Sequence, residues 1–153
     1  MQLSFAEKKI AFIDIDLIIN QSEFGKKSFK IIDKNFKKEN EKLLEIEKNL
    51  ILKEKEILKQ KNVLSEEELN NKLVDLKKKI NDFQKKKMLI NEKFNKMRLN
   101  KTNEMVQSLN SILSKYADEN NISLVIQKKF IVIAKSGLDI TNEILKIFNN
   151  EKK

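Results

Sequence analysis

Histidine, cysteine, proline and tryptophan are all absent from this chain of 153 residues. Without cysteine there is no disulfide, no thiolate nucleophile and no thiolate-bound metal. Without histidine the commonest general base and the commonest transition-metal ligand are both missing, so acid–base or zinc chemistry would rest on carboxylates and lysines alone. The lack of proline, with only Gly25 and Gly137 as flexible residues, removes what usually interrupts helices. Arg98 is the only arginine, which counts against bidentate reading of phosphate or guanine. No Walker-type glycine loop is present, and no apolar run reaches the roughly 20 residues of a membrane-spanning helix, because Asp14 and Asp16 break up the one candidate. No enzymatic activity, cofactor or metal is expected.

What is abundant is charge. Lysine and arginine number 32 against 23 acidic residues, a net charge of +9, while hydrophobic residues make up 40%. Such a balance limits a compact core and favours an elongated, helix-rich fold. It also favours acidic partners, whether polypeptide, nucleic acid or an anionic membrane surface. At the N-terminus, Ser4 and Ala6 fit the small-residue positions of a signal-peptidase site, giving an expected cleavage after Ala6.

Lys9 to Ile15 is rich in β-branched and aromatic residues and reads as a strand. Asp16 is placed to cap a short helix through about Gln21, and Ser22 with Gly25 marks a break before a longer one. From there Phe29, Phe36, Leu43, Leu50, Ile57 and Leu64 recur every seven residues, with Ile32 and Ile46 at the complementary coiled-coil spacing. That complementary position is polar at Glu39, Lys53 and Gln60, so the seam is expected to soften. Ser65 and Glu68 form a capping box for a second helix. Its heptads run through Leu69, Leu76, Phe83, Ile90 and Met97, flanked by Leu73, Ile80 and Phe94, and after a phase change continue to Met105, Leu109, Ile112 and Tyr116. Two amphipathic helices joined near residues 62–66 must fold back as an antiparallel hairpin. An arm of about 38 residues would extend roughly 55 to 60 Å.

Beyond Asn121, Ile122 to Gln127 and Phe130 to Ala134 read as a β-hairpin turning at Lys128 and Lys129. Asp139 or Thr141 then caps a final helix with Ile144, Leu145 and Phe148 inward. The expected fold is therefore α+β and mostly helical: an arm of residues 25–120 inserted into a body made from residues 1–24 and 121–153. Three strands and two small helices make a weak body, and exposed sheet edges would pair with other copies. The residues expected to build that oligomeric body are Ile10, Phe12, Ile13, Leu124, Ile126, Ile131 and Ile133.

The order of these segments resembles the Skp, or OmpH-like, family: Lys9-Ile-Ala-Phe-Ile-Asp14, then Gly25-Lys26 opening a lysine-rich hairpin, Leu124-Val-Ile126, and Leu138-Asp-Ile-Thr-Asn-Glu-Ile-Leu-Lys146. The terminal Asp139-Ile140-Thr141 is the most specific stretch, and Gln127 departs from an acidic residue common in the family. The resemblance implies a periplasmic, jellyfish-shaped homotrimer acting as an ATP-independent holdase chaperone for unfolded outer membrane proteins. No lipopolysaccharide motif is carried over.

Candidate contact residues fall in two groups. Leu44, Ile51 and Leu58 form a second stripe at heptad spacing, read either as an apolar client-facing surface or as a widened seam. Lys77, Lys78, Lys79, Lys85, Lys86 and Lys87 offer a positive lining, or else a solvated face. Asp14 and Asp16 read as a cap and an outward-facing alternate and not as a metal pair. The competing functions are a basic coiled-coil nucleic-acid-binding module, weakened because Phe29, Phe36, Phe83 and Phe94 sit on seam positions, and a structural coiled-coil adaptor.

Overall fold

The computed structural model describes residues 9–152; the expected cleavage position at Ala6 lies outside them. The elements are β1 (Lys9–Ile13), α1 (Ile15–Gln21), α2 (Glu23–Gln60), α3 (Glu66–Glu119), β2 (Ile122–Gln127) and α4 (Thr141–Glu151). Contacts divide the chain into two compact units, residues 31–98 and the remainder from both ends. The division falls within α2 and α3, whereas the arm boundaries expected from sequence followed the helix limits.

In the unit built from the chain ends, β1 and β2 pair in parallel, Ile10 opposite Leu124 and Phe12 opposite Ile126. A tight turn cannot connect parallel strands; the helices between them provide the crossover. The other side of β1 is closed by residues 139–140: Ile140 N–H donates to the Phe12 carbonyl at 3.0 Å, and Phe12 bridges to Asp139. β1 is thus enclosed on both sides, which explains why Ala11, Phe12 and Ile13 are all buried. Around it Ile18, Ile19, Met105, Leu109, Ile144 and Phe148 form the core. Phe29 packs against this cluster, so the first residue of the expected seam belongs to this unit.

Three sequence expectations are corrected here. Asp14, not Asp16, caps α1: its carboxylate accepts the Leu17 amide at 2.9 Å, and the helix begins one residue after it. The hairpin after α3 does not form. Asn121 takes a left-handed conformation (φ 55°) that turns the chain into β2, but β2 ends in a 3-10 turn at Lys128–Phe130. That turn sends Ile131 to Ala134 off the sheet line, so the described sheet has two strands and not three. Ile131 and Ile133, expected in the body strands, lie outside any strand, and Ile133 is 90% exposed.

Gly25, expected as a break, lies inside α2 at a close approach. A Cβ there would meet the Ile19 carbonyl oxygen at 1.9 Å, and the Gly25 amide donates to the buried Ser22 hydroxyl at 3.1 Å. The α1–α2 corner is therefore built around a residue without a side chain. Thr141 joins the two chain ends: its hydroxyl oxygen accepts the Asp14 amide at 2.9 Å while the hydroxyl donates to Asp139. Partial burial opposes ionisation of Asp139, but hydrogen bonds from Thr141 and the Lys128 ammonium outweigh it and hold its carboxyl below the usual range.

Gly25→Ala should destabilise the fold by roughly 3 kcal/mol through this backbone clash, measured by urea denaturation; an unchanged midpoint would contradict the packing. A carboxyl lowered in the folded state contributes stability above its unfolded value, lost as pH falls through the folded one. The wild type should therefore exceed Asp139→Asn in stability above about pH 4, the gap closing on further acidification; a gap constant with pH would refute the assignment.

Candidate functional site

Within residues 31–98, α2 and α3 run antiparallel. Arg98 pairs with Asp33 at 3.0 Å, the rings of Phe36 and Phe94 meet edge-to-face at 5.1 Å, and Lys72 Nζ donates to Gln60 Oε1 at 2.6 Å. Positions rise along one helix as they fall along the other. Ile32, Leu43 and Ile57 from α2 and Leu76, Phe83 and Phe94 from α3 are buried in the seam. The turn between the helices is closed by the expected capping box: Ser65 N–H donates to Glu68 Oε2 at 3.0 Å, and Glu68 N–H donates back to Ser65 Oγ at 3.3 Å.

On α3 lysine recurs at seven-residue spacing, at Lys72, Lys79, Lys86 and Lys93. Three of them meet acceptor or anionic groups from α2. Lys72 finds Gln60, and the charges of Lys86 and Lys93 act on Glu39, whose carboxyl is lowered chiefly by its hydrogen bond from Lys42. Lys79 meets a cation instead. Lys53 and Lys79 border the same cavity, and Lys79, by a side-chain hydrogen bond and then by its charge, holds Lys53 below the ordinary lysine value. Lys79 is raised, first by its ion pair with Asp75, four residues before it on α3, and then by its hydrogen bond with Lys53.

Next to this like-charged layer the seam opens. A cleft of about 630 Å³ is lined by Ile46, Leu50, Leu52 and Phe83, with Lys53, Lys79 and Lys86 among its polar walls beside Glu56 and Asp82. A smaller cavity of about 210 Å³ continues past Lys53 and Glu56 to Ile57, Gln60, Lys72, Asp75 and Leu76. The two share Lys53 and Glu56 and together form one groove along the seam.

The residues expected to make contacts are thereby separated. Lys79 and Lys86 line the groove; Lys77, Lys78, Lys85 and Lys87 are exposed and do not. Leu44, Ile51 and Leu58 are 57%, 47% and 63% exposed, so no neighbour covers them as a widened seam would require. Each follows a seam residue by one position, about 100° around the helix, whereas Asn49 and Glu56, which precede seam residues, border the groove. The stripe therefore lies on the other flank. Leu73 and Ile80, expected to flank the seam, are also partly exposed, at 46% and 38%.

In the unit of chain ends, Phe12 and Ile13 are buried, Ile126 partly so, and Ile10 and Leu124 are about half exposed. Among the described residues no acidic group clusters as a metal site, and no helix is long and apolar enough to cross a membrane. Sequence reasoning missed the Lys53–Lys79 layer and its apolar floor. The seven-residue lysine repeat was the available signal, hidden by the consecutive lysine runs around it.

The chain matches the family model described as outer membrane protein (OmpH-like) over residues 9–148. Its fold is similar to that of a crystallised Caulobacter crescentus CB15 protein provisionally named an OmpH-like outer membrane chaperone. The TM-score is 0.84 at 17% identity, covering 97% of this chain and 88% of that one. No curated protein matches it.

The like-charged layer predicts that Lys53→Leu stabilises the helical pair, by removing repulsion and adding apolar seam surface. The denaturant midpoint should rise; a fall would show that Lys53 supports the seam.

Proposed function

This chain belongs to the OmpH-like family, and from that premise we propose that it is an ATP-independent holdase that keeps unfolded outer membrane proteins from aggregating in the periplasm. The family supports a chaperone role and is not enzymatic, and the chain is not an enzyme. The observation that carries the holdase reading is the uncovered stripe of Leu44, Ile51 and Leu58. Large apolar side chains repeated along a charged helix are what a weak, sequence-tolerant surface for unfolded polypeptide requires.

The proposed working form is a trimer joined through the chain-end unit. Among the described residues β2 has a partner on one side only, and beside it Phe130, Val132 and Ile133 are each at least 73% exposed. Pairing with other copies would satisfy that edge. The nucleic-acid reading loses support because Phe83 and Phe94 are buried in the seam and cannot serve as stacking platforms.

The test dilutes a denatured outer membrane barrel protein into buffer containing this protein and no ATP, with light scattering followed and native mass measured in parallel. Suppression near one trimer per client is expected, and replacing Leu44, Ile51 and Leu58 with serine should weaken it severalfold without loss of helix. Scattering unaltered by the wild type would overturn the reading, and a discrete nucleic-acid complex at physiological salt would favour the alternative.

A further inference from the structure

The holdase reading leaves the groove on the other flank of the seam without a role. We propose that this groove is a recognition site for an extended polypeptide segment in which an apolar side chain lies within about two residues of a carboxylate. The proposal rests on the holdase reading and assigns it a preferred segment chemistry.

The first support is the division of the groove. Its apolar lining of Ile46, Leu50, Leu52 and Phe83 ends at Lys53, and Lys53 and Lys79 both border the same cavity. Lys79 has Asp75 as its ion-pair partner, whereas Asp75 and Glu56 act on Lys53 only through their charge. A bridging carboxylate would relieve the repulsion between the two cations and gain charge-assisted hydrogen bonds. The complete set of charged groups bordering the groove is Lys53, Lys72, Lys79 and Lys86 against Glu56, Asp75 and Asp82. Cations exceed anions by one, so a single acidic side chain balances the site while a basic one adds to the excess.

The second support is size. From Ile46 to Gln60 the groove follows about 21 Å of helix, which matches roughly six residues of extended chain. The apolar section between Ile46 and Leu52 covers only about 9 Å before the lysines intervene. That is room for one large side chain and short for a lipid acyl chain, which favours polypeptide over membrane lipid as the occupant.

The test measures, by fluorescence anisotropy, binding of two labelled peptides to the full chain in its native assembly. Both carry a benzoylphenylalanine at the apolar position, and the flanking residues are aspartate in one and lysine in the other. The acidic peptide should bind at least about tenfold more tightly at physiological salt. Its photocrosslinks should fall on groove residues and not on Leu44, Ile51 or Leu58. Replacing both Lys53 and Lys79 with glutamine should shrink the preference to about twofold, and replacing both with arginine should retain it. Circular dichroism and sedimentation confirm that these surface variants remain folded.

Equal affinity for the two peptides, a preference that survives the glutamine variant, crosslinks on the leucine stripe, or displacement of the acidic peptide by phosphatidylglycerol vesicles would each overturn the proposal. If the wild type suppresses aggregation yet treats the peptides alike, the groove fails and the holdase reading stands. If it suppresses nothing and binds neither peptide, both fail together.

Discussion

Two helices packed side by side can share only one seam, and within residues 31–98 that limit decides what is hidden and what is left to solvent. Leu43, Ile57, Leu76 and Phe83 fill the seam. Leu44 and Leu58, one residue further along, stay exposed, with no third element among the described residues to cover them. A three-helix bundle would bury such a stripe. The exposed surface is thus a consequence of using two helices with apolar residues on more than one face.

The chain-end unit solves a different problem. Its strands are separated by more than a hundred residues, and Thr141 holds the junction by accepting from Asp14 and donating to Asp139, while Asn149 accepts the Glu23 amide. These bonds fix the start of α1 and the entry to α4 together, so the Asp139-Ile140-Thr141 stretch acts as a clasp between the two ends. β1 lies inside that clasp, between β2 and residues 139–140. Among the described residues β2 has only one neighbour.

The helical pairing was legible because heptads report burial directly: Leu43, Ile57, Leu76 and Phe83 were read from spacing and are buried. The capping box at Ser65 was legible for the same local reason, since its partners are three residues apart. Features set by distant partners were not. Ile131 to Ala134 has the composition of a strand, but composition does not say whether a neighbour exists to pair with it. Asp14 and Asp16 are both aspartates, two positions apart, and the one that caps is the one whose own amide is held by the distant Thr141. Gly25 looked like a breaker because glycine usually is one; its role, admitting the Ile19 carbonyl, depends on an approach that the sequence does not encode locally. The Lys53–Lys79 layer needed the register of both helices at once.

Magnitudes connect the exposed stripe to the open strand edge. Leu44, Ile51 and Leu58 each retain about half their surface in water, so covering one with a client contributes on the order of 1 kcal/mol. Three such contacts come to about 3 kcal/mol, weaker than a millimolar complex, so one chain could not hold an unfolded protein. On the holdase reading, several copies must surround one client so that each weak contact acts at high effective concentration. The unsatisfied side of β2 is the feature that would join those copies. On the same reading, weakness in each contact would also allow release without nucleotide: a client that folds into its membrane would be withdrawn from the unfolded pool, and mass action would empty the surface.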